Sequence, residues 1–451
     1  MEKSVTPTPD STALSGAAPK VVAMAAWHGL FWLVFANAIG VMISILLLVP
    51  SLNAWLGEWT YGRWIMVHMN LELFGWTSLP LVGFLFKVYG ADSMPFAAWC
   101  RPILWGWSSA LAFGSLSWLS GHSSGKLFLD WSGYARVLFP MTLFALWLLL
   151  ALSFVHSWSQ AGHVTLGARC AKISGLVLLL SIPFAIYIAS SPAIYPPVNP
   201  DTGGPTGASQ LESSLVIVAI LLLLPFGLTE RRPRSSWKIK LAWIVLLAEI
   251  ALCVCLGRAD ISHHRPAQFL SLASLLLWIP LTPIYYAAFA WQPGTRHWLN
   301  AFLCWWSLLL ISGWILFLPG VLDHFKFTDG LVGHSLLAMA GFTSSLIIFV
   351  IVQILGADGW IFNRSWSFYL WNAGVLGYVV LMTAAGWREG FDPSFTIVPG
   401  ISRESIYILR LLVGAFMFAS SLEWLLAASA LLSEAPAVDS RSISTLQERT
   451  A

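Results

Sequence analysis

Residues 63–84, RWIMVHMNLELFGWTSLPLVGF, and residues 327–342, FTDGLVGHSLLAMAGF, decide how this chain is read. Each run is apolar enough to belong to a lipid-spanning helix, and each carries one histidine near its start, His68 in the first and His334 in the second. An imidazole taken out of water must be hydrogen-bonded or coordinated, so an ionisable group inside a spanning segment marks a candidate functional site. At 1.5 Å per residue the two lie ~12 and ~8 Å below the outer ends of their helices, within one turn of the same depth. Two histidines at one depth predict a shared ligand. Either one alone is as well explained by a hydrogen bond to a neighbouring helix, worth on the order of 1 kcal/mol. Glu72 follows His68 by four residues on the same helix face. A carboxylate there orients the imidazole through its second nitrogen, or, protonated, plugs a helix contact.

Composition sets the class. Of 451 residues, 57% are hydrophobic and 10% charged, against about 25% charged in soluble domains. Apolar runs of at least about 17 residues fall near 22–50, 60–89, 96–119, 133–157, 167–192, 212–228, 239–257, 267–291, 297–319, 330–356, 366–386 and 403–433. The fold class expected is therefore an all-α integral membrane protein of twelve transmembrane helices forming one domain over 22–433. With the N-terminus inside, 15 Lys and Arg fall in the termini and even-numbered loops and 8 in the opposite loops. That bias puts both termini in the cytoplasm. Residues 1–21 and 434–451, rich in Ser, Thr, Pro and Ala, read as disordered cytoplasmic tails. The net charge of +3 is spread through the loops, which points to the bilayer as partner and to no nucleic acid. The five cysteines are scattered without a CxxCH motif and receive no role.

The order of features resembles subunit I of the haem-copper oxidase and nitric oxide reductase superfamily: twelve spans, both ends inside, a histidine in helix two and a Gly-His in helix ten. FTDGLVGHSLLAMAG (327–341) is similar, without gaps, to the helix-ten motif of the high-affinity cytochrome c oxidase branch. GWREGFDPSF (386–395) and ILRLLVGAFMF (408–418) resemble that branch's Trp-Arg-Glu loop and the opening of its helix twelve. The resemblance implies a prokaryotic inner (cytoplasmic) membrane, haem, other respiratory-complex subunits and an external electron donor. By it, His68 matches the helix-two ligand of the low-spin haem and His334 the first helix-ten histidine, while the second helix-ten histidine falls on Leu336. Arg388 is placed in the outer loop before helix twelve, as a partner for haem propionates or in a salt bridge with Glu389.

The departures bear on mechanism. Helix six, SSLVIVAILLLLPFGL (213–228), has no histidine, and only His263 and His264, in weak register, stand where the copper ligands after helix seven would be. Copper is accordingly not expected, and the chain reads as haem-binding electron transfer with a degenerate or absent copper site. The sharpest version is one haem between His68 and His334, held in a shifted helix register. A haem-free structural subunit retaining the oxidase fold is the alternative. A transporter is a weaker one, since no inverted repeat is evident. Glu249 and Glu423, inside helices seven and twelve and far in sequence from Lys or Arg, read as neutral carboxyls in helix contacts or as proton-relay groups. The loop SPAIYPPVNPDTGGPTGAS (191–209) reads as turn-ordered, capping the bundle or docking a partner.

The charge distribution generates a topology prediction. A tag at either terminus should stay cytoplasmic, and an alkaline phosphatase fusion within 191–209 should be active outside; the opposite sidedness would place both histidines in the inner half.

Overall fold

The computed structural model describes residues 17–126, 128–160, 166–194, 210–256 and 266–433. The C-terminal tail, most of the 191–209 loop and the His263–His264 pair lie outside the described residues. Among the described residues every regular element is helical and there is no strand.

Among the described residues twelve long helical rods follow one another: α1 (Ala17–Leu48), α2 (Tyr61–Tyr89), α3 (Ala97–Leu119), α4 (Ala135–Gln160), α5 (Leu166–Ala189), α6 (Gln210–Leu228), α7 (Ser236–Leu256), α8 (Phe269–Tyr286), α9 (Arg296–Leu316), α10 (residues 329–355), α11 (Ser365–Phe391) and α12 (Ile401–Ser433). The first helix begins at Ala17, so residues 17–21 are helix where a tail extending to 21 was expected. Alanine, the best helix former, carries the helix beyond the apolar run.

All but one of these rods are long and apolar enough to cross a bilayer, eleven among the described residues. The chain is an all-helical, multi-pass membrane protein. The exception is α3. Its 23 residues span ~34 Å, enough for a hydrocarbon core of about 30 Å. Arg101, Ser108, Ser109, Ser115 and Ser117 dilute its apolar character. It still buries Cys100, Leu104, Trp107, Leu111 and Trp118, packing against α1, α2 and α4.

Two apolar cores result, and α1 is their common wall. Val22, Ala26, Leu30 and Leu33 face the core shared with α6–α12, while Ala25, Trp32, Ala36 and Ile43 face the one shared with α2–α5. The long seam between α1 and α12 closes the bundle, bringing the first and last helices side by side.

Glycines set the closest helix approaches. A Cβ at Gly75 of α2 would come within 2.5 Å of Trp32 Cβ, and one at Gly341 of α10 within 2.8 Å of Trp305 Cδ2. Between α10 and α11 the backbones themselves touch: a Cβ at Gly386 would stand 2.0 Å from the Gly330 nitrogen. Small residues allow this, and in lipid such packing replaces the hydrophobic drive between helices.

Gly386→Ala should therefore destabilise by at least the ~1–3 kcal/mol typical of overpacking, because the obstacle is backbone and cannot rotate away. Gly414→Ala, on α12 with open space around it, should be neutral or slightly stabilising through helix propensity. Thermal unfolding of the two purified variants in one detergent checks the contrast.

Candidate functional site

The helices that carry His68 and His334 share a local irregularity. In α2 the α-helix gives way to a π-helical turn at Leu71–Trp76, and in α10 to another at Leu337–Thr343. A π turn leaves carbonyls without their usual partners, and here hydroxyls supply them. Thr77 and Ser78 both donate to the Leu73 carbonyl at 2.6 and 2.8 Å; Thr343 donates to Ala338 and Ser344 to Met339 at 2.8 and 3.0 Å. Such turns recur at functional sites.

His68 points at α1. Its Nδ1 lies 2.8 Å from the Ala36 carbonyl, which can only accept, so Nδ1 carries the proton. Its ring edge rests on Gly40, whose missing side chain makes the space: a Cβ there would be 3.1 Å from His68 Cε1. Nε2 is then turned to Glu72 Oε1 at 3.6 Å. Two acceptors facing each other at that distance are stable only with a proton or a water between them. The expected i,i+4 pairing of His68 and Glu72 is thus in place.

Both side chains line a cavity of about 50 Å³ whose other walls include Asn37, Gly40 and Ser44 of α1, Tyr378 of α11 and Met417 of α12. Leu336 of α10 also lines it. The structure therefore brings His68, Glu72 and Leu336 together, and it does not bring His334 to them. His334 faces the other way, onto α9: its Nδ1 is 3.1 Å from Ser312 Oγ, which in turn donates to the Leu309 carbonyl at 3.2 Å. Gly313 lies under its ring, with a would-be Cβ 3.6 Å from Cε1. A ligand shared directly by His68 and His334 does not fit this register, because residues two apart on a helix project about 200° from each other and it is Leu336, not His334, that lines the cavity with His68.

The two histidines instead occupy equivalent places in a repeated unit. Trp32 and Gly40 of α1 correspond to Trp305 and Gly313 of α9; His68, Gly75, Thr77 and Ser78 of α2 correspond to His334, Gly341, Thr343 and Ser344 of α10. Each tryptophan packs on the corresponding glycine, each histidine on the other glycine, and each imidazole reaches a carbonyl four residues after the tryptophan, directly at Ala36 and through Ser312 at Leu309. This parallel repeat was missed by a search for inverted ones. Its signal is legible as His, six residues, Gly, an aromatic residue, Thr-Ser, at 68–78 and again at 334–344.

Two further charges are linked to the cavity through Tyr378, one of its lining residues. Arg410, nine residues into α12, pairs with Asp329 at the start of α10 (3.2 Å), and its Nε donates to Tyr378 Oη at 3.3 Å. Tyr378 also lines the cavity, so polar groups run from Asp329 through Arg410 to His68 and Glu72. Arg410 lies well inside the α12 apolar run, about two turns beyond Arg403, and an arginine that deep in a spanning helix was the available signal.

Other expected residues are placed as follows. Arg388 lies in the last turn of α11, not in a loop, and stacks over Phe395 at 5.9 Å. It makes no salt bridge with Glu389, whose carboxylate accepts from the Asp329 N–H at 2.7 Å and from the Thr396 hydroxyl. Glu423, distant from every Lys and Arg in sequence, meets Arg364 at 2.9 Å, though the alignment falls short of a hydrogen bond. Glu249 accepts from Trp278 Nε1 at 2.6 Å. His28 is buried against Ser108 at 2.8 Å. Among the described residues no three His, Cys, Asp or Glu side chains gather as a metal site. No protein-family model matches the chain, and no curated protein matches its sequence.

The Arg410–Asp329 pair is the part of this network with a measurable energetic weight. Arg410→Met or Asp329→Asn alone should cost ~1–3 kcal/mol by leaving one half-buried charge unpaired. The double substitution should cost less than the sum of the two, as a double-mutant cycle on thermal unfolding will read.

Proposed function

We propose that the chain is a membrane subunit of a respiratory electron-transfer complex, a twelve-helix bundle of the haem-copper oxidase subunit I type in which the low-spin haem position has closed over. The observation that carries this reading is that His68 and Leu336 both line one small cavity walled by α1, α2, α10, α11 and α12. The helix-two ligand position keeps its imidazole, and the opposing helix-ten position holds a leucine. Counting α3 as a span makes the number of crossings even, in keeping with both termini in the cytoplasm of a prokaryotic inner membrane.

The residues do not fit a haem as they are packed. Sites that hold a cofactor of such size enclose roughly 300–1,000 Å³, against about 50 Å³ here, and leucine offers iron no donor. In this reading His68 and Glu72 tie α2 to α1 and hold a proton or a water in the cavity. Partner subunits carry the electrons from the external donor, and this chain seats them in the bilayer.

A second reading, haem bound through His68, is favoured by one specific contact. The Ala36 carbonyl holds the proton on Nδ1 and leaves Nε2 with its lone pair, the way metal-bound imidazoles are oriented.

A reduced-minus-oxidised spectrum with a pyridine extract, on protein made with haem supplied, separates the two. The closed-site reading expects no Soret band and negligible oxygen uptake with reduced cytochrome or quinol. The second expects a band lost in His68→Ala and kept in His28→Ala, and turned six-coordinate and low-spin by Leu336→His. Appearance of that set in the folded protein would replace the closed-site reading.

A further inference from the structure

We infer that the Arg388 end of α11 carries a binding site for an anionic phospholipid. A groove of about 630 Å³ runs along this end of the helix, lined by Phe325 and by Val380, Thr383, Ala384 and Trp387, with Arg388 at its rim. Val380 and Trp387 are 59% and 48% exposed, so this face of α11 is turned out of the bundle, toward the lipid that surrounds a multi-pass protein. An open, almost wholly apolar groove in that setting is filled by acyl chains, since water there would gain no hydrogen bonds from its walls.

Charge selects the headgroup. Among the described residues Arg388 has no carboxylate at ion-pair distance: the guanidinium lies over Phe395 at 5.9 Å, and the adjacent Glu389 is occupied by the Asp329 N–H and the Thr396 hydroxyl. Arg388 is three residues from the end of α11 at Phe391, at the level where interfacial arginine and tryptophan meet headgroups. A planar guanidinium takes phosphate oxygens two at a time. A zwitterionic headgroup brings its own ammonium to the site, whereas a net-anionic one leaves the guanidinium as its counter-charge. A snorkelling arginine accounts for the cation alone; it gives no reason for an apolar groove of acyl-chain dimensions directly beside it.

The test is native mass spectrometry of the full chain in mild detergent, titrated with phosphatidylglycerol and, separately, with phosphatidylcholine of the same chain length. Wild type should retain phosphatidylglycerol about five-fold more tightly, the weight of one membrane-proximal cation. Arg388→Gln should erase that preference and Arg388→Lys should keep most of it. Val380→Trp, which fills the groove and leaves the guanidinium, should weaken retention of both lipids. Thermal melts confirm that each variant is folded. Equal retention of the two lipids by wild type, retention of neither, an undiminished preference in Arg388→Gln, or full retention in Val380→Trp would each overturn the proposal.

Discussion

An imidazole inside a bilayer must give its N–H to something, and the architecture around His68 follows from how that requirement is met. Ala36 is the acceptor, but its carbonyl can reach out of α1 to the ring only because Gly40 below it has no side chain to hold α2 off. The same approach is secured about two turns further along by Gly75 under Trp32. Glycine and histidine are thus coupled across the interface: one sets the distance that the other needs. Once α2 is fixed on α1, the inward edge of His68 and the carboxylate of Glu72 are committed to a common space, and the other walls of that space come from α10, α11 and α12.

The bundle solves this problem twice. At α9 and α10 the tryptophan, both glycines, the histidine, the π turn and the hydroxyl pair reappear at the same spacings, with Ser312 interposed between imidazole and carbonyl. A repeat of packing with a repeat of irregular backbone points to one unit used twice, since a π turn disrupts regular helix and is not a default outcome of an apolar sequence. The two copies part company two residues after the histidine. Asn70 of α2 turns to Asp130 at 2.8 Å, whereas Leu336 of α10 turns to the cavity of the other copy. The asymmetry of the site lives at that position.

Much of the fold was legible in the sequence because a lipid solvent leaves few choices. Apolar runs of spanning length become helices, and their ends agree with the helical segments to within a few residues, apart from Ala17, the end of α8 at Tyr286 five residues short of the run, and the extension of α11 to Phe391, which draws Arg388 into the helix. The i,i+4 spacing put Glu72 beside His68, where the two stand 3.6 Å apart, but the imidazole N–H goes to Ala36 instead. What depth does not contain is rotation about the helix axis: His334 and Leu336 lie at nearly one level but on different faces, so equal depth predicted a shared ligand where the structure has two separate contacts. Long-range partners were equally hidden. Arg364 approaches Glu423 across 59 positions of chain, and Arg410 approaches Asp329 across 81, distances over which neighbouring sequence carries no information.

In the proposed closed-site reading, a leucine at the α10 position costs the fold little. A ligating histidine on α10 would contribute an imidazole that, without its metal, needs a hydrogen-bond partner inside the bundle, at a penalty of roughly 1–3 kcal/mol if none is found. Leucine has no such demand, and Leu336 is an apolar part of the cavity wall. His68 cannot be relieved in the same way. Its N–H is already part of the α1–α2 contact through Ala36, and replacing it would empty the ring's place over Gly40. The imidazole thus has a structural task in the α1–α2 contact whatever the cavity between α2 and α10 holds, and Leu336 has none beyond lining that cavity.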